Sequence, residues 1–281
     1  MCMGFGCNAA GVVGTRIITS PREKLIAILT NAFMPCNGRF PILIVIATIF
    51  IGGYFSGFAS SLFATLTILL LIVLGVILTL LVSKILSKTI LKGFSSSFVL
   101  ELPPYRTPQF GKVIVRSLFD RTIHILGRAV AVAAPIGIVI WLFANVNISG
   151  ISILEHTATF LDPFAKLMGL DGYILTAFLL ALPANELVLP IMLMSYMSQG
   201  TLVSIEDTAI IGNIFRSNGW TLLTAINTLI FIILHFPCST TLITIKKETK
   251  SWKWCFIAFA LPTICGILIC MLTTGIWNLL M

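Results

Sequence analysis

Phe33-Met34-Pro35-Cys36-Asn37 is one of two similar breaks in stretches of this chain that are otherwise apolar enough to lie in lipid. The other is Phe236-Pro237-Cys238-Ser239. Proline lacks an amide hydrogen and clashes with the preceding turn, so a helix that stops there leaves carbonyl groups that lipid cannot satisfy. Such breaks persist where they line a cavity. Two of them, each with a thiol and a small polar side chain and one in each half of the chain, are typical of secondary transporters.

The composition indicates an integral membrane protein. Of the 281 residues, 58% are hydrophobic and 10% are charged, and the mean hydropathy is +1.05. The net charge of +8 would suit a nucleic-acid binder, but the basic residues fall in short segments between apolar stretches, as the positive-inside rule expects. We therefore expect contact with membrane lipid and no nucleic acid partner. The seven cysteines, an odd number, lie mostly in or beside apolar segments, which argues against a disulfide framework.

Six apolar segments are predicted to be helical, and the charges between them predict their orientation. The segments are residues 25–50, 62–82, 125–146, 173–197, 220–245 and 254–277. Residues 84–128 contain eight basic and two acidic residues, and residues 246–253 contain four basic and one acidic, so both connections are predicted to be cytoplasmic. The loops 145–171 and 199–218 hold more acidic than basic residues, which places both loops outside.

Segment 173–197 then has both ends outside, so it is predicted to enter the membrane and return, with its turn at Pro183-Ala184-Asn185-Glu186. In the first half of the chain Arg16 and its basic neighbours place the N-terminal segment inside, and Gly4-Phe5-Gly6-Cys7-Asn8 is predicted to be the tip of a second hairpin. We therefore predict an all-α polytopic membrane protein, an inverted repeat of a re-entrant hairpin plus a broken transmembrane helix. The entering arm of the first hairpin would lie before Met1, so we expect this sequence to be a fragment or a truncated product.

Residues 104–128 are a different kind of segment, because charged residues recur at helical spacing among aliphatic ones. Lys112, Arg116, Asp120 and Arg121 alternate in this way with apolar positions. The pattern predicts an amphipathic helix along the cytoplasmic face of the membrane. Anchoring to lipid head groups is the preferred role, and binding of a partner protein is the alternative.

Glu186 is the most informative single residue, because a carboxylate at membrane depth costs about 3 kcal/mol and is rarely kept without a partner or a function. Asn185 and the carbonyl groups freed by Pro183 and Pro190 are expected to surround it. A cation or proton site is the favoured interpretation. The alternative is a carboxyl group that is protonated or satisfied by an amide and closes the hairpin tip.

Cysteines accompany each of the predicted breaks. Cys36 and Cys238 each follow a proline, and Cys7 lies at the predicted hairpin tip. Thiolate ligands favour Fe(II), Zn(II) or Cu(I), whereas Na⁺ or Mg²⁺ would call for oxygen alone. Simple packing of buried cysteines is the alternative. His235 could add an imidazole, but it ranks below the cysteines because Pro237 lies between it and Cys238.

The sequence contains no Gly-x-x-x-x-Gly-Lys-Ser/Thr phosphate loop. These residues are therefore not expected to hydrolyse ATP or GTP, and no catalytic residue is predicted. Energy for transport would come from a further segment, a partner chain or an ion gradient.

The same motifs resemble the membrane domain of the ferrous iron transport protein B (FeoB) family, and the likeness spans almost the whole chain. The matching residues are mostly polar, Pro, Gly or Cys, which shared hydrophobicity does not produce. They are Gly4-Phe5-Gly6-Cys7-Asn8, Thr15-Arg16, Pro35-Cys36, Arg39-Phe40-Pro41, Phe98-Val99-Leu100-Glu101-Leu102-Pro103-Pro104-Tyr105-Arg106, Pro183-Ala184-Asn185-Glu186, Pro237-Cys238-Ser239-Thr240-Thr241-Leu242 and Ser251-Trp252-Lys253-Trp254.

This resemblance implies Fe(II) import across the prokaryotic cytoplasmic membrane. It also implies a GTP-binding domain or chain, with GTP and Mg²⁺, that this sequence does not include, together with small accessory proteins. Whether the chain forms a homo-oligomer stays open. The chain would divide into a first gate (1–58), a transmembrane helix with a cytoplasmic linker (59–100), an amphipathic helix with a transmembrane helix (101–146) and a second gate (147–281).

On this resemblance we hypothesise that Fe(II) is held between the two gates by Cys7, Cys36, Cys238, Glu186 and unwound carbonyl groups. The path around the metal would be lined by Asn8, Asn37, Asn185, His235 and Ser239. Two alternatives stay open, a nucleoside-type carrier and a membrane subunit that binds a partner without transport. The choice among Fe(II), Mn(II) and Zn(II) also stays open.

Overall fold

The structure is a computed structural model that describes residues 2–55, 57–89, 124–148, 150–198, 200–202 and 207–280, and the single positions 111, 115, 119 and 205. Most of this part is helical. Its α-helices are α1 (Asn8–Gly14), α2 (Pro21–Thr30), α3 (Phe40–Phe50), α4 (Phe58–Lys88), α5 (His124–Asn145), α6 (Ile153–Leu167), α7 (Gly172–Leu180), α8 (Val188–Tyr196), α9 (Thr208–Ser217), α10 (Leu222–Leu234), α11 (Ser239–Thr249) and α12 (Trp252–Leu280).

Short elements complete the description. The strands Asn147–Ile148 and Ile151–Ser152 pair antiparallel, with Asn147 opposite Ser152. Single-turn 3₁₀ helices occur at Cys2–Phe5, Thr15–Ile17, Asn31–Phe33, Asn37–Arg39, Gly52–Tyr54 and Asn185–Leu187. Two of these turns, Asn37–Arg39 and Asn185–Leu187, lie at breaks that the sequence predicts.

Four stretches of the described residues are long and apolar enough to cross a membrane: Pro21–Tyr54, Phe58–Lys88, Leu222–Thr249 and Trp252–Leu280. Helices α6 and α7 form a bent pair that meets the same criteria only if the two helices count as one span. The chain bends by 112° between them. The prediction of an all-α polytopic membrane protein is therefore confirmed. The first and third stretches each contain one of the predicted proline breaks.

The predicted loops 145–171 and 199–218 contain more structure than a loop, which corrects the sequence interpretation. The first holds the strand pair and α6, and the second holds α9. Both helices start at polar caps: Ser152 Oγ accepts from Glu155 N at 3.2 Å, and Asp207 Oδ1 accepts from Ala209 N at 2.8 Å. Ser152 and Glu155 have the spacing of a capping box, a signal that the sequence already contained.

The segments predicted to be cytoplasmic contact one another at one end of the molecule. Glu248 accepts hydrogen bonds from Arg16, with Nη2 at 2.5 Å, and from Lys24, with Nζ at 3.3 Å. Arg22 donates to the carbonyl oxygen of Ser87 at 3.1 Å. These contacts join three basic segments that are far apart in sequence, which supports their location on one side of the membrane.

The segments predicted to lie outside also contact one another. Asn145 Nδ2 donates to the carbonyl oxygen of Gly200 at 2.7 Å. Tyr196, at the end of α8, donates to Asp171 and accepts from Trp220 Nε1 at 2.8 Å. The amphipathic helix predicted at 104–128 lies almost entirely outside the described residues, as does the motif at 98–106.

One fold prediction concerns Gly172, the first residue of α7, which lies directly against α6. A Cβ at this position would lie 1.9 Å from the carbonyl oxygen of Ala158, and backbone atoms cannot move aside as a side chain can. We expect Gly172→Ala to separate the two helices and to destabilise the protein by about 1–3 kcal/mol. Gly275→Ala is the matched control, because a Cβ there meets no atom within 4 Å. Thermal unfolding in detergent should show a lower midpoint for Gly172→Ala alone, and equal midpoints would contradict this packing.

Candidate functional site

The three proline breaks meet in the folded chain. We call residues 34–39, 182–187 and 235–239 the break junction. Ser239 N donates to the carbonyl oxygen of Leu182 at 2.8 Å, and the Nε2 atom of His235 lies 3.2 Å from Asn185 Oδ1. Around Gly38 the chain packs so closely on Glu186 that a Cβ would lie 2.9 Å from the Cγ of Glu186. Backbone from both halves of the sequence is thus brought together at this point.

Each break has an extended segment followed by a new helical turn. Helix α2 ends at Thr30, and Cys36 is extended (φ −85°, ψ 166°) before the turn Asn37–Arg39. Helix α10 ends at Leu234, and Cys238 is extended (φ −61°, ψ 158°) before α11. An extended residue before a helix is the geometry of an N-cap, so the two breaks place their cysteines at equivalent positions.

Cys7 has the same local position before α1, with φ −155° and ψ 126°. None of the three thiols caps its helix through a hydrogen bond. Their carbonyl groups are already in use, because the oxygens of Cys36 and Cys238 accept from Arg39 N at 2.9 Å and Leu242 N at 3.1 Å. The carbonyl oxygens at these cysteines are therefore partly used, and the sulfur atoms are the ligands that distinguish these positions.

Arg39 is the residue that joins the first break to the third, and its side chain is fully buried. Its guanidinium donates to four carbonyl oxygens from both halves of the chain. They are Ala32 at 3.2 Å, Ile233 at 2.8 Å, His235 at 3.1 Å and Phe236 at 3.3 Å. The last carbonyl groups of a helix have no partner within the helix. Arg39 therefore caps two helix ends, that of α2 with its following turn Asn31–Phe33 and that of α10.

The positive charge of Arg39 is compensated by the dipoles of these four carbonyl groups. Within the part of the chain that the structure describes, no carboxylate forms an ion pair with its guanidinium, and its Nε has no hydrogen-bond partner. Arg39 is not among the site residues predicted from the sequence. The sequence does single it out in one respect, because no other charged residue occurs between Lys24 and Lys84. An arginine in such an apolar stretch must find carbonyl partners.

Asn185 and His235, both predicted path residues, connect the second break to the other two. Asn185 is buried, and its Nδ2 lies 3.9 Å from Cys36 Sγ. On the other side of the imidazole, His235 Nδ1 lies 2.8 Å from the carbonyl oxygen of Ile232. Both ring nitrogens of His235 therefore have partners, and the ring can bind a metal only after it releases one of them.

The predicted hairpin tip contacts the first break. Asn37 N donates to the carbonyl oxygen of Gly6 at 3.3 Å, and Asn31 Nδ2 donates to that of Asn8 at 2.8 Å. With its amide nitrogen toward the carbonyl groups, Asn8 donates to Met34 O at 3.2 Å. The segment 4–8 is thus held against the break junction by amide hydrogen bonds.

The four predicted metal ligands differ in exposure. Cys36 is buried, Cys238 is half-buried with Sγ 3.2 Å from Thr241 Oγ1, and Cys7 and Glu186 are exposed. Among the described residues, no group of three His, Cys, Asp or Glu side chains is arranged to hold a metal ion. The structure brings Cys36, Cys238 and Glu186 to the break junction, and the complete ligand set stays a prediction.

Comparison with known proteins identifies the family. A family model described as "Ferrous iron transport protein B C terminus" matches residues 68–120, and one described as "Nucleoside recognition" matches residues 126–252. The Fe(2+) transporter FeoB of Staphylococcus aureus strain COL is 31% identical over 271 residues, which covers 94% of this chain and 38% of that protein. The chain belongs to the FeoB family.

Two further relatives agree with the FeoB assignment. The Fe(2+) transporter FeoB of Methanocaldococcus jannaschii is 27% identical over 294 residues, covering 100% of this chain and 41% of that protein. The Leptospira interrogans serovar Lai protein of the same name is 26% identical over 299 residues, covering 97% and 42%. No solved structure matches the chain.

The chain spans about two fifths of the length of these FeoB relatives. The resemblance predicted from its motifs is confirmed. With its apolar spans, the family assignment makes it a multi-pass protein of the prokaryotic plasma membrane.

Proposed function

We propose that this chain forms the membrane permease part of an Fe(II) uptake transporter, in which the metal passes through the break junction. The observation that supports this function best is the meeting of the Pro35, Pro183 and Pro237 breaks. Non-helical backbone at membrane depth is tolerated where it is buried in protein or lines a cavity, and here three separate segments share one such place. The names of the FeoB relatives make Fe(II) the proposed substrate.

We further propose that the two halves are inverted copies of one gate. In each, a helix breaks at Pro-Cys, resumes, and is followed by a long helix: α2, α3 and α4 in one copy, α10, α11 and α12 in the other. The predicted division into a first gate (1–58), two intervening segments (59–100 and 101–146) and a second gate (147–281) is retained in this proposal. The hairpin of α7 and α8 is the proposed re-entrant element of the second gate.

The chemistry of the proposed path follows from its residues. Thiol sulfur at Cys36 and Cys238 suits Fe(II), and the exposed Glu186 carboxylate adds negative charge beside Gly38. Most nearby backbone oxygens already accept hydrogen bonds, four of them from Arg39. The metal would therefore be bound mainly by sulfur and carboxylate oxygen, and less by carbonyl oxygen. Two packings of the gates would expose it to the two sides of the membrane in turn.

The thiols supply the test of this function. Replacing both Cys36 and Cys238 by serine should lower the initial rate of Fe(II) uptake about tenfold or more, as is typical when metal coordination is disturbed. Uptake is measured in proteoliposomes that contain the full natural protein. Cys265→Ser is the matched control, because this half-buried thiol lies within the continuous helix α12 and is not part of the break junction. Unchanged uptake in the double variant would remove the thiols from the mechanism.

The same assay separates the alternatives. Competition of metal uptake by nucleosides would favour the nucleoside-type carrier, and competition by Mn(II) or Zn(II) would define the metal specificity. A GTP-binding domain or chain, small accessory proteins and a homo-oligomer are proposed as partners on the family assignment. Absence of Fe(II) flux from the complete system would favour a membrane subunit without transport.

A further inference from the structure

A polar cavity of about 320 Å³ opens at the end of the molecule where the segments predicted to lie outside meet. It is bounded by the end of α5, the strand pair, the starts of α6 and α7, and the end of α8. The polar side chains that matter here are Asn145, Ser152, Glu155, Tyr173 and Ser195.

Two of the polar side chains that line the cavity, Asn145 and Ser195, already use their hydrogen-bond donors. Asn145 Nδ2 donates to the carbonyl oxygens of Trp141 at 3.0 Å and Gly200 at 2.7 Å, which leaves Oδ1 as its acceptor. Ser195 Oγ donates to Ile191 O at 2.7 Å, so its lone pairs stay available. At these two side chains the atoms left over are oxygen acceptors, which suits a cation.

Charge favours the same ligand. Glu155 contributes a carboxylate, and the described residues that line the cavity include no lysine or arginine. Oxygen ligands without thiols or imidazoles are those of hard, hydrated cations. Six coordinating waters of about 30 Å³ each occupy roughly 180 Å³, so a divalent cation fits with its hydration shell intact.

The position of the cavity relates it to the break junction. Tyr173 lies on α7 and Ser195 on α8, the two arms of the hairpin whose turn contains Asn185 and Glu186. The cavity thus lies at the open end of the hairpin, and the break junction lies at its turn. The two places are therefore connected by the same pair of helices.

We propose that this cavity is a receiving site, in which a hydrated divalent cation is held through Glu155 and neighbouring oxygens before it enters the break junction. The proposal rests on the proposed function. It adds a second site to the path, one that selects for charge and hydration, whereas the thiols of the junction select for the chemistry of the metal.

The test measures uptake and binding separately. In proteoliposomes, Glu155→Gln should raise the KM for Fe(II) about threefold to tenfold and leave the maximal rate unchanged, because a lost surface carboxylate reduces the local concentration of the cation. The KM difference should shrink at about 1 M salt, where the Debye length is about 3 Å. Glu155→Asp should restore the wild-type KM, and Asp162→Asn on the same helix, outside the cavity lining, should not change it.

Binding is followed by titrating Mn²⁺ into purified protein that carries Cys36→Ser and Cys238→Ser, with free Mn²⁺ measured by electron paramagnetic resonance. Addition of Glu155→Gln should weaken the remaining Mn²⁺ binding. An unchanged KM together with unchanged Mn²⁺ affinity would overturn the receiving site. Absence of Fe(II) uptake in the wild-type protein would instead contradict the proposed function, and Glu155-dependent Mn²⁺ binding would still support the cavity as a cation site.

Discussion

Arg39→Ala is expected to unfold the break junction and to abolish Fe(II) uptake. The substitution leaves four buried carbonyl oxygens, those of Ala32, Ile233, His235 and Phe236, without their donor. One buried polar group without a partner costs about 1–3 kcal/mol, and losing one member of a buried charged network costs about 3–5 kcal/mol. A loss of several kcal/mol is a large fraction of the stability of an ordinary domain.

The variant Arg39→Lys tests whether the positive charge of Arg39 is sufficient or whether the shape of the guanidinium is also needed. Lysine keeps the positive charge but has a single nitrogen, which cannot span carbonyl groups of two half-helices as the planar guanidinium does. We expect an intermediate loss in the thermal midpoint in detergent and in uptake. Arg216→Ala is the control, since this exposed arginine contacts one carbonyl oxygen, that of Ile49, at 3.3 Å. A wild-type midpoint in Arg39→Ala would show that the four oxygens find other donors.

Glu248→Arg is expected to lower Fe(II) uptake about tenfold or more, equivalent to about 1.4 kcal/mol in the slowest step. The carboxylate is nearly buried, with 7% of its side chain exposed, and it pairs with Arg16 and Lys24. These pairs join the N-terminal segment to α11 and so connect the two proposed gates at the cytoplasmic end. Reversal of the charge places three cations together and disfavours this packing.

The rescue variant makes the Glu248 prediction specific. Arg16→Glu combined with Glu248→Arg restores an opposite pair, so uptake should recover at least partly. The hydrogen bond and the charge of Glu248 raise the pKa of Arg16, so the pair stays ionised and the effect should not depend on pH near neutrality. Equal uptake by Glu248→Arg and wild type would show that the pair plays no part in the cycle.

The sequence contained the positions of the breaks but not the contacts that satisfy them. Pro35, Pro183 and Pro237 identify where helices stop, because the loss of an amide donor is a local property of proline. Which donors satisfy the freed carbonyl groups depends on tertiary contacts. Arg39 reaches oxygens 194 to 197 positions away in sequence, and no local pattern specifies that distance.

Helix ends show the same limit. Hydrophobicity predicts a segment at 62–82, whereas α4 continues through Lys84 to Lys88, because lysine, leucine and isoleucine extend a helix without requiring lipid. Helix α6 could have been predicted from Ser152 and Glu155, since their spacing is that of a capping box. The neighbours of Cys7, Cys36, Cys238 and Glu186 could not, because they come from separate helices that meet only on folding.

The position of Arg39 constrains how the two halves can move. Its planar group holds the terminal carbonyls of one half-helix from each half of the chain, so drawing the halves straight apart would break bonds to at least one of them. Tilting one half against the other around the guanidinium preserves those bonds while the outer and inner ends swing in opposite directions. Arg39 is thus placed to serve as a fulcrum, and a rocking cycle about it would leave the centre of the protein nearly stationary.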